Sequence, residues 1–138
     1  MSMPRATDPA VLIVEGDPSV QGSLCRALQH HGFAPLHAGT VEAALKILGQ
    51  EHIEAVILDL GLPDRMGFKR SGLSLLAYLR FTPDYETLPV LILTGQTLAP
   101  EDEDLVRRYR ADVFYKPHAY DALMESLNRL TLQHPPAA

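Results

Sequence analysis

Three short runs of nearly continuous apolar residues constrain the fold of this chain most: Val11–Glu15, Ala55–Asp59 and Val90–Thr94. Runs of this kind are typical of strands that are buried on both faces of a parallel sheet. Phe33–His37 and Val113–Tyr115 are weaker strand candidates, which we expect nearer the edges of the sheet. Segments with helical spacing of apolar residues lie between the runs, so the sequence predicts five strand–helix units.

Five such units predict an α/β fold with a doubly wound parallel sheet, because right-handed crossovers place helices on both of its faces. The length of 138 residues and the apolar content of 46% suit a single domain. We expect that domain to cover residues 10–132, with flexible tails at 1–9 and 133–138. Sheets of this type bind their ligands at the carboxyl ends of the strands.

The composition argues against several classes of function. A formal net charge of −5 and the lack of any Lys and Arg cluster disfavour binding to nucleic acid or to an anionic membrane. The single cysteine, Cys25, cannot form an internal disulfide, so a reducing compartment is the simpler interpretation. The first apolar run is too short for a signal peptide or a membrane span. We therefore expect a cytoplasmic protein.

Side chains with useful chemistry stand where the predicted strands end, namely Glu15, Asp17, Asp59, Thr94 and Lys116. Because parallel strands end at the same edge of a sheet, we expect these side chains to converge. Converging carboxylates raise one another's pKa unless a cation is present, and a magnesium ion suits such an open edge. The pattern indicates phosphoryl transfer onto a carboxylate, with Asp59 as the acceptor.

Four motifs together resemble the receiver domain of two-component response regulators: VLIVEGDPSV, AVILDLGLPD, PVLILTG and FYKP. The resemblance covers nearly the whole chain and implies a flavodoxin-like sheet with strand order 2-1-3-4-5. It implies that Asp59 accepts a phosphoryl group from a phosphohistidine on a sensor histidine kinase or phosphotransfer protein. Thr94 would then contact the phosphoryl group and Lys116 would pair with it. The resemblance also implies that Glu15, Asp59 and the backbone carbonyl of Gly61 bind Mg²⁺.

The acidic pocket departs from the family pattern at one position. Two adjacent acids normally follow the first strand, and the second binds the metal directly; here Glu15 matches the first acid and Gly16 replaces the second. Asp17, the next residue, suits the cap of a helix that starts with Pro18. Asp17 is also kept as an alternative metal ligand, provided that Gly16 adopts a backbone bend closed to other residues. Magnesium binding is accordingly expected to be weak.

Two further departures concern a loop and a strand. Residues Phe68–Gly72 read as an insertion beside Asp59, in a loop that contains Arg65, Lys69 and Arg70. We interpret these cations as a solvated loop surface, with a direct charge contribution to the site as the alternative. The family tends to carry an aromatic switch residue three positions before the lysine, where this chain has Val113, with Phe114 and Tyr115 following. A one-residue deletion would explain this shift, so the switch position is left open.

Two functions of different classes remain open. The first is a phosphorylatable switch that signals through protein contacts to a downstream partner, with a homodimer left open. The second is a pseudo-receiver, an interaction module that works without phosphorylation because Gly16 weakens the metal site. An enzyme is not expected: aspartyl phosphohydrolases place a second Asp two residues after the nucleophile, where this chain has Gly61.

Overall fold

The computed structural model describes residues 8–62, 71–95, 97–116 and 120–131. In chain order, its elements are β1 (Ala10–Val14), α1 (Pro18–His30), β2 (Ala34–Ala38), α2 (Val41–Gln50), β3 (Ala55–Leu58), α3 (Ser71–Phe81), a short 3-10 helix (Pro83–Tyr85), β4 (Val90–Thr94), α4 (Pro100–Arg108), β5 (Asp112–Tyr115) and α5 (Tyr120–Leu130). The five predicted strands are all present, with bounds that differ from the predicted ones by at most one residue.

The strands form a single parallel sheet in the order β2-β1-β3-β4-β5. This order confirms the flavodoxin-like prediction. The three most apolar strands, β1, β3 and β4, lie inside the sheet, and the weaker candidates β2 and β5 form its edges. The difference follows from burial: interior strands have both faces covered, so they need apolar residues at every position.

Helices cover both faces of the sheet, because successive strand residues point to opposite sides. On β1, Leu12 and Val14 belong to one apolar cluster, and Val11 and Ile13 belong to the other. The first cluster includes buried residues of α2, α3 and α4, and the second includes buried residues of α1 and α5. The two clusters hold the strand ends in fixed positions at one edge of the sheet.

Side-chain caps fix the starts of two helices. The Asp17 carboxylate accepts a hydrogen bond of 2.8 Å from the Ser19 backbone N–H at the start of α1. The Thr40 hydroxyl accepts one of 3.1 Å from the Ala43 N–H at the start of α2. Each cap satisfies a backbone N–H that has no partner within its helix.

The interpretation of Phe68–Gly72 as an inserted loop is wrong at its end, because α3 begins at Ser71 and includes Gly72. Gly72 packs so closely on the end of β3 that a Cβ atom there would lie 2.7 Å from the Leu60 Cα. Residues 63–70, with Arg65, Lys69 and Arg70, lie outside the described residues, as do most of both predicted tails. None of the described helices is long and apolar enough to cross a membrane.

Candidate functional site

The register of the sheet brings Glu15 and Asp59 side by side. Val14, the last residue of β1, pairs with Leu58, the last residue of β3, and each carboxylate residue follows directly. The Asp59 N–H donates a hydrogen bond of 2.9 Å to the Val14 carbonyl, which continues the ladder past the strand ends. Two acidic side chains therefore leave adjacent strands at the same level of the carboxyl edge.

Glu15 is buried, with 3% of its surface exposed, and both of its carboxylate oxygens are engaged. One oxygen accepts a hydrogen bond of 3.1 Å from the Asp17 N–H. The other lies 3.0 Å from Nζ of Lys116 in an ion pair. The sequence predicted both residues at this edge, but the pairing between them was not part of the prediction.

The environment of Glu15 opposes its ionisation. Burial is the largest cause that raises the pKa of this carboxyl above its ordinary value of 4.5, and the nearby negative charge of Asp59 raises it further. The hydrogen bonds from Lys116 and from the Asp17 N–H act in the opposite direction.

Asp59 is half-buried and held by the turn that follows it. The Gly61 N–H donates a hydrogen bond of 2.9 Å to the carboxylate of Asp59. A Cβ at Gly61 would lie 3.3 Å from that same oxygen, so a side chain at position 61 would crowd the carboxylate. From the other side, Gly72 of α3 approaches the Asp59 carbonyl, 2.9 Å from where its Cβ would be. A side chain at either glycine would therefore crowd Asp59.

Thr94 and Lys116 complete the carboxyl edge. Thr94 ends β4 with 4% of its surface exposed, and the Lys116 N–H donates a hydrogen bond of 2.8 Å to its carbonyl. Tyr115 pairs with Thr94 in the register of β4 and β5 and is 45% exposed. Val113, at the position where the family carries an aromatic residue, packs against the core on the α4 side. The exposed aromatic residue beside Thr94 is therefore Tyr115.

Asp17 is engaged at the start of α1. Its carboxylate is exposed and caps α1 through the Ser19 N–H. Among the described glycines, Gly32 alone has a positive φ, so Gly16 does not make the bend on which the Asp17 alternative depended. The structure thus brings Glu15 and Asp59 together and leaves the Asp17 carboxylate on the helix end.

The donor set for a metal ion is small. Within the described ranges, no group of three or more His, Cys, Asp or Glu side chains is arranged to hold a metal. Magnesium commonly uses one or two protein carboxylates and completes its shell with water and phosphate oxygens. Glu15 and Asp59 offer two carboxylates at the carboxyl edge of the sheet, the number that such an ion commonly uses, and Gly16 adds no third.

Two residues at the site were missed as functional candidates from the sequence. The side-chain amide of Gln21 in α1 donates a hydrogen bond to the Glu15 carbonyl, which ties the helix to the end of β1. Gly72 was read only as part of a loop. The apolar residues from Leu73 onward have helical spacing, and this signal could have placed Gly72 in a helix. Nothing in the residue type of Gln21 indicated a partner six residues earlier.

A flavodoxin-like sheet that carries, at its carboxyl edge, a buried Glu paired with a Lys and a second carboxylate has the architecture of a signalling receiver module. The family model of the response regulator receiver domain matches residues 11–128. The chain therefore belongs to the response regulator receiver family of two-component systems, as the four motifs predicted. Membership of this family supports a role in phosphorelay signalling.

Individual relatives agree with this assignment. The chain is 37% identical over 120 residues to the transcriptional regulatory protein PmrA of Pectobacterium parmentieri, which covers 87% of this chain and 51% of that protein. It is 34% identical over 124 residues to the transcriptional regulatory protein BasR of Escherichia coli K12, with 90% and 53% covered. The chain thus spans about half the length of these curated relatives.

A solved structure gives the same result. The signal receiver domain of a signal transduction histidine kinase from Syntrophus aciditrophicus superposes with a TM-score of 0.77 at 26% identity. The match covers 94% of this chain and 95% of that chain. The similarity extends over the whole domain rather than over the site alone.

Proposed function

We propose that this protein is a phosphoacceptor of a phosphorelay, in which Asp59 receives a phosphoryl group from a phosphohistidine on a sensor histidine kinase or phosphotransfer protein. The observation that carries the proposal is the joint position of Asp59, Glu15 and Lys116 at the carboxyl edge of the sheet. Glu15 and Asp59 directly follow Val14 and Leu58, which pair at the ends of adjacent strands, and Lys116 forms an ion pair with Glu15.

The proposed step is a nucleophilic substitution at phosphorus. A carboxylate oxygen of Asp59 forms the new P–O bond while the P–N bond of the phosphohistidine breaks, and its electron pair leaves with the imidazole. The Gly61 N–H, which already donates to Asp59, orients the attacking carboxylate. The Thr94 hydroxyl and the Lys116 ammonium would contact the oxygens of the transferred group.

Glu15, Asp59 and the carbonyl of Gly61 are the residues that would hold Mg²⁺. A divalent ion there supplies positive charge against the developing charge on the phosphoryl oxygens. The proposal includes weak binding, because Gly16 provides no carboxylate.

The proposed output is a protein contact made by the surface beside Thr94. A phosphoryl group on Asp59 would draw Thr94 and Lys116 toward it, and β5, with the adjacent exposed Tyr115, would shift with them. A downstream protein or a second copy of the chain would read that change. We place these partners in the cytoplasm, in line with the single thiol of Cys25.

The test is phosphorylation by acetyl phosphate, a small phosphodonor, in the presence of Mg²⁺, followed by intact mass. Wild type should gain a single acid-labile phosphoryl group, and Asp59→Asn should gain none. Asp17→Asn is the matched control, since it removes an exposed carboxylate from the same edge, and it should be phosphorylated like wild type. Equal labelling of wild type and Asp59→Asn would contradict the proposal.

The second candidate is a pseudo-receiver that binds its partner without phosphorylation. The absence of a three-carboxylate group among the described residues favours it, because magnesium would bind weakly. It predicts no phosphoryl gain at any magnesium concentration, with a downstream partner that binds wild type and Asp59→Asn equally well. Phosphorylation of wild type at Asp59 would rule this candidate out.

A further inference from the structure

A cavity of about 330 Å³ lies at the amino edge of the sheet, opposite to the edge that carries Asp59. Its walls come from the turn before β3 (residues 52–54), from the 3-10 helix and the turn before β4, and from Leu130 at the end of α5. β3 is four residues long, so about 13 Å of strand separates the cavity from Asp59. Ligand sites in proteins have volumes of about 300–1,000 Å³, so this cavity is large enough for a small molecule.

The polar side chains of the cavity give it an acidic character. Glu54 and Asp84 supply two carboxylates, and Thr87 and His52 supply a hydroxyl and an imidazole. The Glu54 side chain is 14% exposed, and one of its oxygens lies 2.9 Å from Nε2 of His52, whose side chain is 84% exposed. Among the described residues that line the cavity, none is a lysine or an arginine. The lining therefore favours a ligand of positive charge.

Apolar side chains form the rest of the lining. Ile53 is buried in the core, Leu88 packs against the same core cluster, and Pro89 and Leu130 complete the wall. Small-molecule sites combine apolar surface with a few polar groups that fix the orientation of the ligand. We therefore expect the ligand to carry a short apolar chain beside its charged group.

Hydrogen bonds to the rest of the fold hold these walls in place. The Tyr85 hydroxyl donates a hydrogen bond of 3.0 Å to the Leu48 carbonyl and so ties the 3-10 helix to α2. The buried guanidinium of Arg80 donates one of 2.8 Å to the Leu88 carbonyl, and the Glu54 N–H donates one of 2.8 Å to the first residue of β1. The cavity is thus preformed, so a ligand loses little affinity to the ordering of its walls.

The arrangement of the acidic side chains decides between a metal ion and an organic cation. In the part of the chain that the structure describes, His52, Glu54 and Asp84 included, no group of three or more His, Cys, Asp or Glu side chains is arranged to hold a metal. A guanidinium or ammonium group does not require its acceptors to converge on one point, because each of its N–H groups donates a separate hydrogen bond.

We propose that this cavity binds a small organic cation, namely a guanidinium or ammonium group on a short apolar chain. Glu54 is the main anionic partner of the cation, Asp84 is the second, and Ile53 and Leu88 contact the apolar chain. The site goes beyond the proposed function and does not depend on it, since it lies at the opposite edge of the sheet from Asp59. The cation is either a free small molecule or the Arg or Lys side chain of a partner protein.

The experiment is a titration of the purified chain with butylguanidinium, followed by amide NMR shifts. Saturable shifts should appear at Glu54, Thr87 and Leu88. Butylurea has nearly the same shape without the charge, and it should bind at least about tenfold more weakly. A blocked peptide with one arginine identifies the source of the cation: binding tighter than that of butylguanidinium indicates a partner's side chain, and weaker binding indicates a free small molecule.

Three variants locate the binding. Glu54→Gln should weaken the binding of butylguanidinium about tenfold, because it removes the charge of the less exposed carboxylate. Glu51→Gln is the matched control: it removes an exposed acid that does not line the cavity, and the affinity should stay within about twofold of wild type. Thr87→Trp fills the cavity from an exposed position and should abolish binding. Circular dichroism verifies folding, and Thr87→Trp keeps the test decisive if Glu54→Gln is unstable.

Three results would overturn the inference. Equal binding of butylguanidinium and butylurea would show that the cavity does not recognise the charge. Equal affinities of folded Glu54→Gln and Glu51→Gln would show that the carboxylate in the cavity makes no specific contact. Shifts that do not saturate, or that persist in Thr87→Trp, would place butylguanidinium outside the cavity.

Discussion

Glu15 and Lys116, which are 101 residues apart in the chain, form an ion pair of 3.0 Å at the carboxyl edge of the sheet. The pair joins the end of the first strand to the end of the last, across the strands that carry Asp59 and Thr94. The pair therefore spans the part of the edge at which β3 and β4 end.

Removal of the lysine should destabilise the fold in a pH-dependent way. Lys116→Met leaves a buried carboxylate without its cation, and we expect a loss of about 1–3 kcal/mol in the free energy of unfolding at neutral pH. Burial already raises the pKa of Glu15, and the loss of Lys116 raises it further. A raised pKa in the folded state favours folding at low pH, and this contribution is lost as the pH rises through that pKa.

The cost of Lys116→Met should therefore shrink as the pH is lowered from neutrality toward 4.5, the ordinary pKa of the carboxyl. Urea unfolding at a series of pH values measures this dependence. In a Glu15→Gln background the same lysine substitution should have a cost that does not vary over this range. A cost that stays constant in the presence of Glu15 would show that the ion pair does not stabilise the fold.

Gly72 should be intolerant of any side chain. Gly72→Ala places a Cβ within 3.0 Å of the backbone of Asp59 and Leu60, which cannot move cheaply, and should lower the free energy of unfolding by about 1–3 kcal/mol. Phosphorylation of Asp59 should also slow, since α3 is pushed from the acceptor.

The matched control is Gly49→Ala in α2, where a Cβ meets open space. That substitution should leave stability unchanged or raise it by up to about 1 kcal/mol, from helix propensity alone. Urea unfolding and the rate of labelling by acetyl phosphate provide the two measurements. Similar effects of the two alanines would refute the close approach of α3 to Asp59.

Among the arginines of the described helices, replacement of Arg80 should lower the free energy of unfolding most. It is buried, and its guanidinium donates hydrogen bonds to the carbonyls of Tyr109, Leu88 and Tyr85. Arg80→Met should cost about 2–4 kcal/mol, because it leaves buried carbonyls without donors.

Arg80→Lys should restore only part of that loss, since one ammonium cannot reach all three carbonyls. Arg107→Met, which removes an exposed side chain, should change stability by no more than about 0.5 kcal/mol. Thermal and urea unfolding of the three variants test this order. Equal effects at positions 80 and 107 would contradict the role of Arg80.

Cys25 should react slowly in the folded protein. Burial raises the pKa of its thiol above the ordinary value of 9.0, and the charge of Arg26 offsets this only in part. Less of the thiol is therefore ionised at neutral pH, and alkylation by iodoacetamide should be slower than in the urea-unfolded chain. Equal alkylation rates in the folded and unfolded protein would show that the thiol is not shielded.

The fold was predictable because the apolar runs in the sequence reflect the main physical constraint on the sheet, which is the burial of both faces of its interior strands. Strands with both faces buried must be apolar throughout, so β1, β3 and β4 stood out and their order followed from the family motifs. The edge strands β2 and β5 were weaker signals for the same reason. The short 3-10 helix at Pro83–Tyr85 was not predicted, since three residues carry no periodic pattern.

The site was predictable in its residues but not in its contacts. Strand ends placed Glu15, Asp59 and Lys116 at one edge, yet the pairing of Lys116 with Glu15 depends on side-chain reach across the sheet. Arg80 donates its hydrogen bonds to backbone carbonyls, and every residue has a carbonyl. The residue types therefore do not indicate these partners. Gly72 required knowledge of how closely α3 approaches β3, a distance that only the packed structure provides.

The most direct test of the account is chemical trapping of the phosphorylated residue. Borohydride reduces an acyl phosphate of aspartate to homoserine, and peptide mapping then locates it. After incubation with acetyl phosphate and Mg²⁺, we predict homoserine at position 59 in wild type and unmodified residues at positions 15 and 17. Homoserine at another position, or none at all in the folded protein, would contradict the assignment of Asp59 as the phosphoacceptor.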